Sequence, residues 1–113
     1  MHDPDIEVTP EHTASALADA SAQVVDVREP YEREAGYIPG SVHIGLQELA
    51  AQAQTLDRER PVIFTCRTGA RSLMAAQAFR QAGFDAWSMA GGLELWVSEG
   101  REIEPAGGQV APH

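Results

Sequence analysis

The stretch Pro61-Val62-Ile63-Phe64-Thr65-Cys66-Arg67-Thr68-Gly69-Ala70-Arg71-Ser72 carries the strongest fold signal in the chain. Its first half is a short, nearly continuous apolar run, the pattern of a central parallel strand covered on both faces. Its second half turns polar, and after a loop from Arg67 to Ala70 a helix is expected to run to about Ala82 and stop at Gly83. Ala75, Ala78, Phe79 and Ala82 form the expected apolar stripe of that helix, with Gln77, Arg80 and Gln81 on the polar side. Ligands of open α/β sheets bind outside the carboxyl ends of the strands, and Cys66 stands at such an end.

The flanking sequence repeats the alternation. Upstream, Ile6–Val8 reads as a short strand, and Thr9 as the N-cap of a helix with Pro10 at its first position, Glu11 in its first turn and an end near Ala20. Gln23–Arg28, with Val24, Val25 and Val27, reads as a buried strand ending in charge. A turn at Glu29-Pro30 precedes a short helix over Tyr31–Ala35, whose Glu29, Glu32, Arg33 and Glu34 suggest a solvated face. Turn residues Pro39-Gly40-Ser41 lead into a strand at Val42–Ile44. Leu46, Leu49, Ala50, Ala53 and Leu56 then recur at helical spacing. Downstream, Ala86–Met89 predicts a strand and Gly92–Glu99 a last helix containing Trp96. Strands alternating with helices predict one α/β domain with a mainly parallel sheet. The expected limits are a flexible N-terminus over 1–5, the domain over 6–104 and a flexible tail over 105–113.

Composition narrows the chemistry. The chain has 113 residues, enough for one core, and a net charge of −9 from 17 acidic and 8 basic residues. Every basic residue is arginine, so lysine Schiff-base and Walker-type phosphate chemistry are excluded. No basic face is available for nucleic acid. The acidic N-terminus does not resemble a secretory signal, and no run approaches the roughly 20 apolar residues of a membrane span, so a cytoplasmic protein is expected. A lone cysteine fits a reducing compartment. His2, His12, His43 and His113 lack metal-ligand spacing, so no metal and no cofactor is expected.

Cys66 by itself suits a core thiol, because free cysteine is among the most buried residue types. Its neighbours point elsewhere. A loop between a buried strand and a helix can turn successive backbone N–H groups inward, where the helix N-terminus adds partial positive charge. Arg67 and Arg71 contribute fork-shaped donors for oxyanions, and Gly69 permits a positive φ. Together they favour a reactive thiolate in an anion cradle. Asp26 ends a strand of the same sheet. It is expected to accept hydrogen bonds from the loop in a structural role, with a general base as the sharper alternative.

Four successive segments, Asp26-Val27-Arg28-Glu29, Gly36-Tyr37-Ile38-Pro39-Gly40-Ser41, Cys66-Arg67-Thr68-Gly69-Ala70-Arg71-Ser72 and Gly91-Gly92 with Trp96, resemble the signatures of the rhodanese family, in order, over about residues 6 to 101. The resemblance implies a five-stranded sheet with helices on both faces and a sulfurtransferase whose cysteine becomes a persulfide. It further implies that Cys66 is the nucleophile, that Arg67, Thr68, Gly69, Ala70 and Arg71 bind the sulfur and the donor, and that Asp26, Arg28 and Ser72 support them. The implied donor is thiosulfate or a persulfide, and the acceptor cyanide, a small thiol or a protein thiol. Tyr37 stands where the family usually has histidine and is expected to pack, and Gly45 stands where proline is common. Cysteine phosphatases and arsenate reductases place five residues between cysteine and arginine; here there are four, a loop short for a tetrahedral phosphate and ample for one sulfur. A noncatalytic binding module on the same fold is the other alternative, which the retained cysteine disfavours.

Overall fold

The computed structural model describes residues 5–113. Of the N-terminal segment 1–5, residues 1–4 therefore lie outside the described residues, as does His2. Five strands form one sheet in the order β1-β5-β4-β2-β3, with β1 at Glu7–Val8, β2 at Gln23–Asp26, β3 at Val42–His43, β4 at Val62–Thr65 and β5 at Ala86–Met89. All four pairings are parallel, for example Val25↔Phe64 between β2 and β4 and Ile63↔Trp87 between β4 and β5. Strand β4 is central, and all four of its residues are buried.

Each face has its own core. Val25, Val27, Phe64 and Cys66 pack on one side with Leu49, Leu56, Ala75, Ala76 and Phe79. Val24, Ile63 and Met89 pack on the other with Ala16, Leu93 and Trp96. Helix α1 (Pro10–Asp19) and helix α5 (Gly92–Ser98) therefore cover one face, and helix α4 (Ala70–Gln81) with the short helix α3 (Leu49–Gln52) the other. Two covered faces leave no position of β4 for a side chain facing water, which is why the strand reads as a nearly continuous apolar run ending in the buried Thr65.

Helix α1 starts as its sequence predicts: the Thr9 hydroxyl accepts the His12 N–H at 3.0 Å, and Pro10 holds the first position. Helix α2 spans Pro30–Ala35, and the Glu32 carboxylate reaches back to accept the Glu29 N–H at 2.9 Å, one half of a capping box. Three expectations are corrected. The helix expected across 46–56 is a 3₁₀ turn at Leu46–Glu48, one α turn in α3 and a second 3₁₀ turn at Ala53–Thr55. Only Leu49 and Leu56 anchor it deeply, and no side chain caps it, too little to hold a long regular helix. In α4 the buried stripe is Ser72, Ala75, Ala76 and Phe79, while Ala78 is exposed. The tail over 105–113, expected to fray, lies against α2: Gln109 N–H donates to Ala35 O at 2.8 Å and Tyr31 Oη to Pro112 O at 3.1 Å. Val110 packs on the α1/α5 core, so apolar contact and paired backbone outweigh the turn-rich composition.

Candidate active site

Strand β4 ends at Thr65, and α4 begins at Ala70. The loop between them folds around Cys66, which is only 1% exposed. Its Sγ receives the Gly69 N–H at 3.1 Å and the Ser72 N–H at 3.4 Å. Gly69 sits at φ +105° as the N-cap of α4, a conformation costly for any residue with a Cβ, and there its N–H reaches back to the sulfur. The Ser72 hydroxyl lies 3.4 Å from Sγ and 2.7 Å from the hydroxyl of Ser88 on β5. Both serines are fully buried, so the sulfur heads a short chain of two enclosed hydroxyls.

Helix α5 grips the loop from its other side. The Leu93 N–H donates to Cys66 O at 2.9 Å and the Glu94 N–H to Arg67 O at 3.1 Å. In a trans peptide the N–H points opposite the carbonyl, so this grip turns the N–H groups of Arg67 and Thr68 away from α5. Gly92 makes the close approach possible. A Cβ there, at φ +60°, would stand 2.4 Å from Arg67 C and O and 2.5 Å from Cys66 O. Gly91-Gly92 is thus the seat of the loop as well as a turn.

The two loop arginines are both engaged. Arg71 donates from Nη1 and Nη2 to the two oxygens of Glu32, at 2.8 and 2.9 Å. Glu32 is fully buried and also accepts the Glu29 N–H at 2.9 Å, which corrects its placement on a solvated face. Burial pushes the Glu32 carboxyl up, but the Arg71 guanidinium and the backbone hydrogen bond outweigh it and hold the group below the ordinary glutamate range. The same pairing raises Arg71 further against its own burial. Arg67 pairs through Nη2 with Glu94 Oε2 at 2.8 Å, both side chains partly exposed. Thr68 and Ala70 are exposed, whereas Gly69 is buried.

Asp26 and Arg28 form a buried pair, with Arg28 Nε and Nη2 donating at 2.9 and 2.8 Å and the Arg28 N–H at 3.1 Å. Arg28 Nη2 also donates to Gly36 O at 2.7 Å, and Arg33 Nη1 stands 3.5 Å from the same carboxylate. Asp26 alternates along the strand with Val25 and Val27, which pack on the Cys66 side, so its carboxylate faces the α1/α5 side. Among the described residues its donors are these arginines rather than the loop, which leaves the general-base alternative without a contact to the sulfur. His43 Nε2 lies 2.8 Å from Arg28 O and carries the hydrogen, since a carbonyl only accepts. Tyr37 packs under Arg33, whose Cζ lies 4.0 Å from the ring centroid. A cavity of about 660 Å³ lined by Leu17, Val24, Val42, Ile44 and Leu56 opens elsewhere, without any loop residue.

Three residues of this site escape the sequence reading. Ser88 left a trace, a serine inside an otherwise apolar strand. Glu32 stands in an acidic cluster that suggests a solvated face, with no sign that it is the partner of Arg71. Nothing near Glu94 announces Arg67.

The chain matches known proteins over most of its length. The model of the rhodanese-like domain matches residues 9–99. The thiosulfate sulfurtransferase GlpE of Pseudomonas aeruginosa (strain LESB58) is 38% identical over 107 residues, 94% of this chain and 93% of that protein. The putative sulfurtransferase YtwF of Bacillus subtilis is 34% identical over 82 residues, 73% of this chain and 80% of that protein. Among solved structures, a rhodanese-related protein from Thermoplasma volcanium superposes with a TM-score of 0.80 at 28% identity, covering 87% of this chain and 96% of that one.

Proposed function

Given that this chain belongs to the rhodanese-like domain family and is a rhodanese-type sulfurtransferase, we propose that Cys66 is its nucleophile and carries the transferred sulfur as a persulfide. The observation that supports this most is the convergence of the Gly69 and Ser72 N–H groups on Sγ at the carboxyl end of the central strand. N–H donors aimed at a sulfur stabilise the negative charge that gathers on it when Cys66 is the leaving group.

In the first exchange the Cys66 thiolate attacks the outer sulfur of the donor. A new S–S bond forms on Cys66, the donor's bond to that sulfur breaks, and its electron pair leaves with sulfite or with an organic thiolate. In the second, cyanide or a thiolate attacks the outer sulfur, and Cys66 departs as a thiolate. Electrons balance within each exchange, so neither calls for a cofactor. The chain has no second cysteine to resolve the persulfide, which favours discharge by an outside nucleophile, a protein thiol among them.

In this scheme the loop from Arg67 to Arg71 cradles the sulfur and Ser72 supports it, joined by Ser88. Arg71, committed to Glu32, shapes the loop. Arg67 is the guanidinium within reach of a donor anion. Asp26 and Arg28 brace the end of β2 from the opposite face. The working domain is residues 6–104, with the tail as its brace on α2. A cytoplasmic setting suits an unpaired thiol, and no helix of the described residues is long and apolar enough to cross a membrane.

Intact-mass spectrometry tests the cycle. Thiosulfate should add one sulfur, ~32 Da, cyanide should remove it, and Cys66→Ser should show no adduct while keeping its circular dichroism spectrum. A protein that stays unmodified by thiosulfate and by an organic persulfide alike is not using Cys66 in this way.

A further inference from the structure

The two loop arginines are paired unequally, and the inequality bears on which donor the site takes. Arg71 is held at both terminal nitrogens by a carboxylate with no exposure to solvent. Pulling Arg71 away would strand that charge, so it stays put. Arg67 is held by one nitrogen only, and its partner Glu94 is 47% exposed. Arg67 Nε is enclosed and has no hydrogen-bond partner among the described residues. A single-contact pair at the surface is weak and screened by salt, so an incoming anion can displace it. The charge that a donor can recruit beside Cys66 is therefore Arg67, in competition with Glu94.

We propose that Glu94 sets donor selectivity: by holding Arg67 it disfavours the thiosulfate dianion relative to persulfides whose carrier group is uncharged. The inference rests on the Cys66 persulfide reading above and names the donor class of that same site. With thiosulfate, attack by the Cys66 thiolate on the outer sulfur forms Cys66–S–S⁻ and expels sulfite, which departs with two negative charges. An organic persulfide anion with a neutral carrier brings a single negative charge, and its leaving thiolate takes away only one. The Glu94 carboxylate, in competing for Arg67, opposes an incoming dianion about twice as strongly as a monoanion. Glu94 acts through Arg67, touching neither the sulfur nor the loop N–H groups. Its backbone N–H grips Arg67 O whatever the side chain, so the charge can be removed without releasing the loop.

The test compares the wild-type protein with Glu94→Gln, which keeps the shape and one acceptor, using thiosulfate and 2-hydroxyethyl persulfide as donors and cyanide as acceptor. Glu94→Gln should lower KM for thiosulfate about two- to fivefold, leave kcat unchanged, and lower KM for the singly charged 2-hydroxyethyl persulfide less, by about the square root of that factor. The difference should shrink in about 0.5 M salt. Equal shifts for both donors, or none, in a protein that still loads sulfur on Cys66 would overturn the role of Glu94 alone. Absence of any sulfur on Cys66 with either donor would overturn the underlying persulfide reading.

Discussion

Glu32 divides its carboxylate between the start of its own helix and a guanidinium 39 residues away, and the carboxylate itself is closed to solvent. A buried ion pair adds little net stability when complete, but removing one partner leaves the other stranded and costs about 3 kcal/mol or more. Arg71→Ala should therefore lower unfolding stability near neutral pH by about 3 kcal/mol, read from the urea midpoint. The pH dependence has a definite sign. Since Arg71 and the Glu29 N–H depress the Glu32 carboxyl in the fold, its contribution is complete above the unfolded value of about 4.3. It is lost as pH falls through the lower, folded value. The gap between wild type and Arg71→Ala should accordingly close on the acid side. An unchanged midpoint at neutral pH would show that the pair does nothing for the fold.

At the scale of elements, the cradle is a joint between the β4-to-α4 loop and the first turn of α5. The loop carbonyls of Cys66 and Arg67 face α5, and that orientation frees N–H groups to face the other way. Gly92 carries this contact, since the nearest atoms to a Cβ there are backbone atoms that cannot swing aside. Gly92→Ala should push α5 off the loop, costing about 2–3 kcal/mol in stability and at least tenfold in kcat/KM for sulfur transfer. Normal turnover in this variant would mean that α5 does not hold the cradle in shape. The broken helix over 46–56 shows the converse case. Its periodicity is real, but with deep anchors only at Leu49 and Leu56 it settles into single turns.

Across the whole molecule, the tail and α2 form one side of the fold. Tyr37 and Glu104 exchange two backbone hydrogen bonds of 2.8 Å, Gln109 bonds Ala35, and a Cβ on Gly36 would meet Gln109 O at 2.7 Å. Helix α2 carries Glu32, so the tail braces the element that holds Arg71. Removing residues 105–113 should lower stability by about 2 kcal/mol, the scale of two hydrogen bonds and one half-buried valine. Amide exchange in α2 should rise with it. Unaltered exchange there would return the tail to the frayed segment that its glycines and prolines suggest.

The chain sequence by itself determined the strand-loop-helix around Cys66, the parallel α/β class, the α1 cap and the position of the lone thiol. Each of these depends on residues close to one another along the chain: an apolar run, a glycine with positive φ, a threonine before a proline. Tertiary structure alone decided that Glu32 is buried under Arg71, that Asp26 faces away from the sulfur, that Ser88 extends the hydroxyl chain, that Glu94 holds Arg67 and that the tail is docked. Those outcomes depend on which distant segments meet across the sheet, and a charge reads the same in sequence whether water or a guanidinium surrounds it.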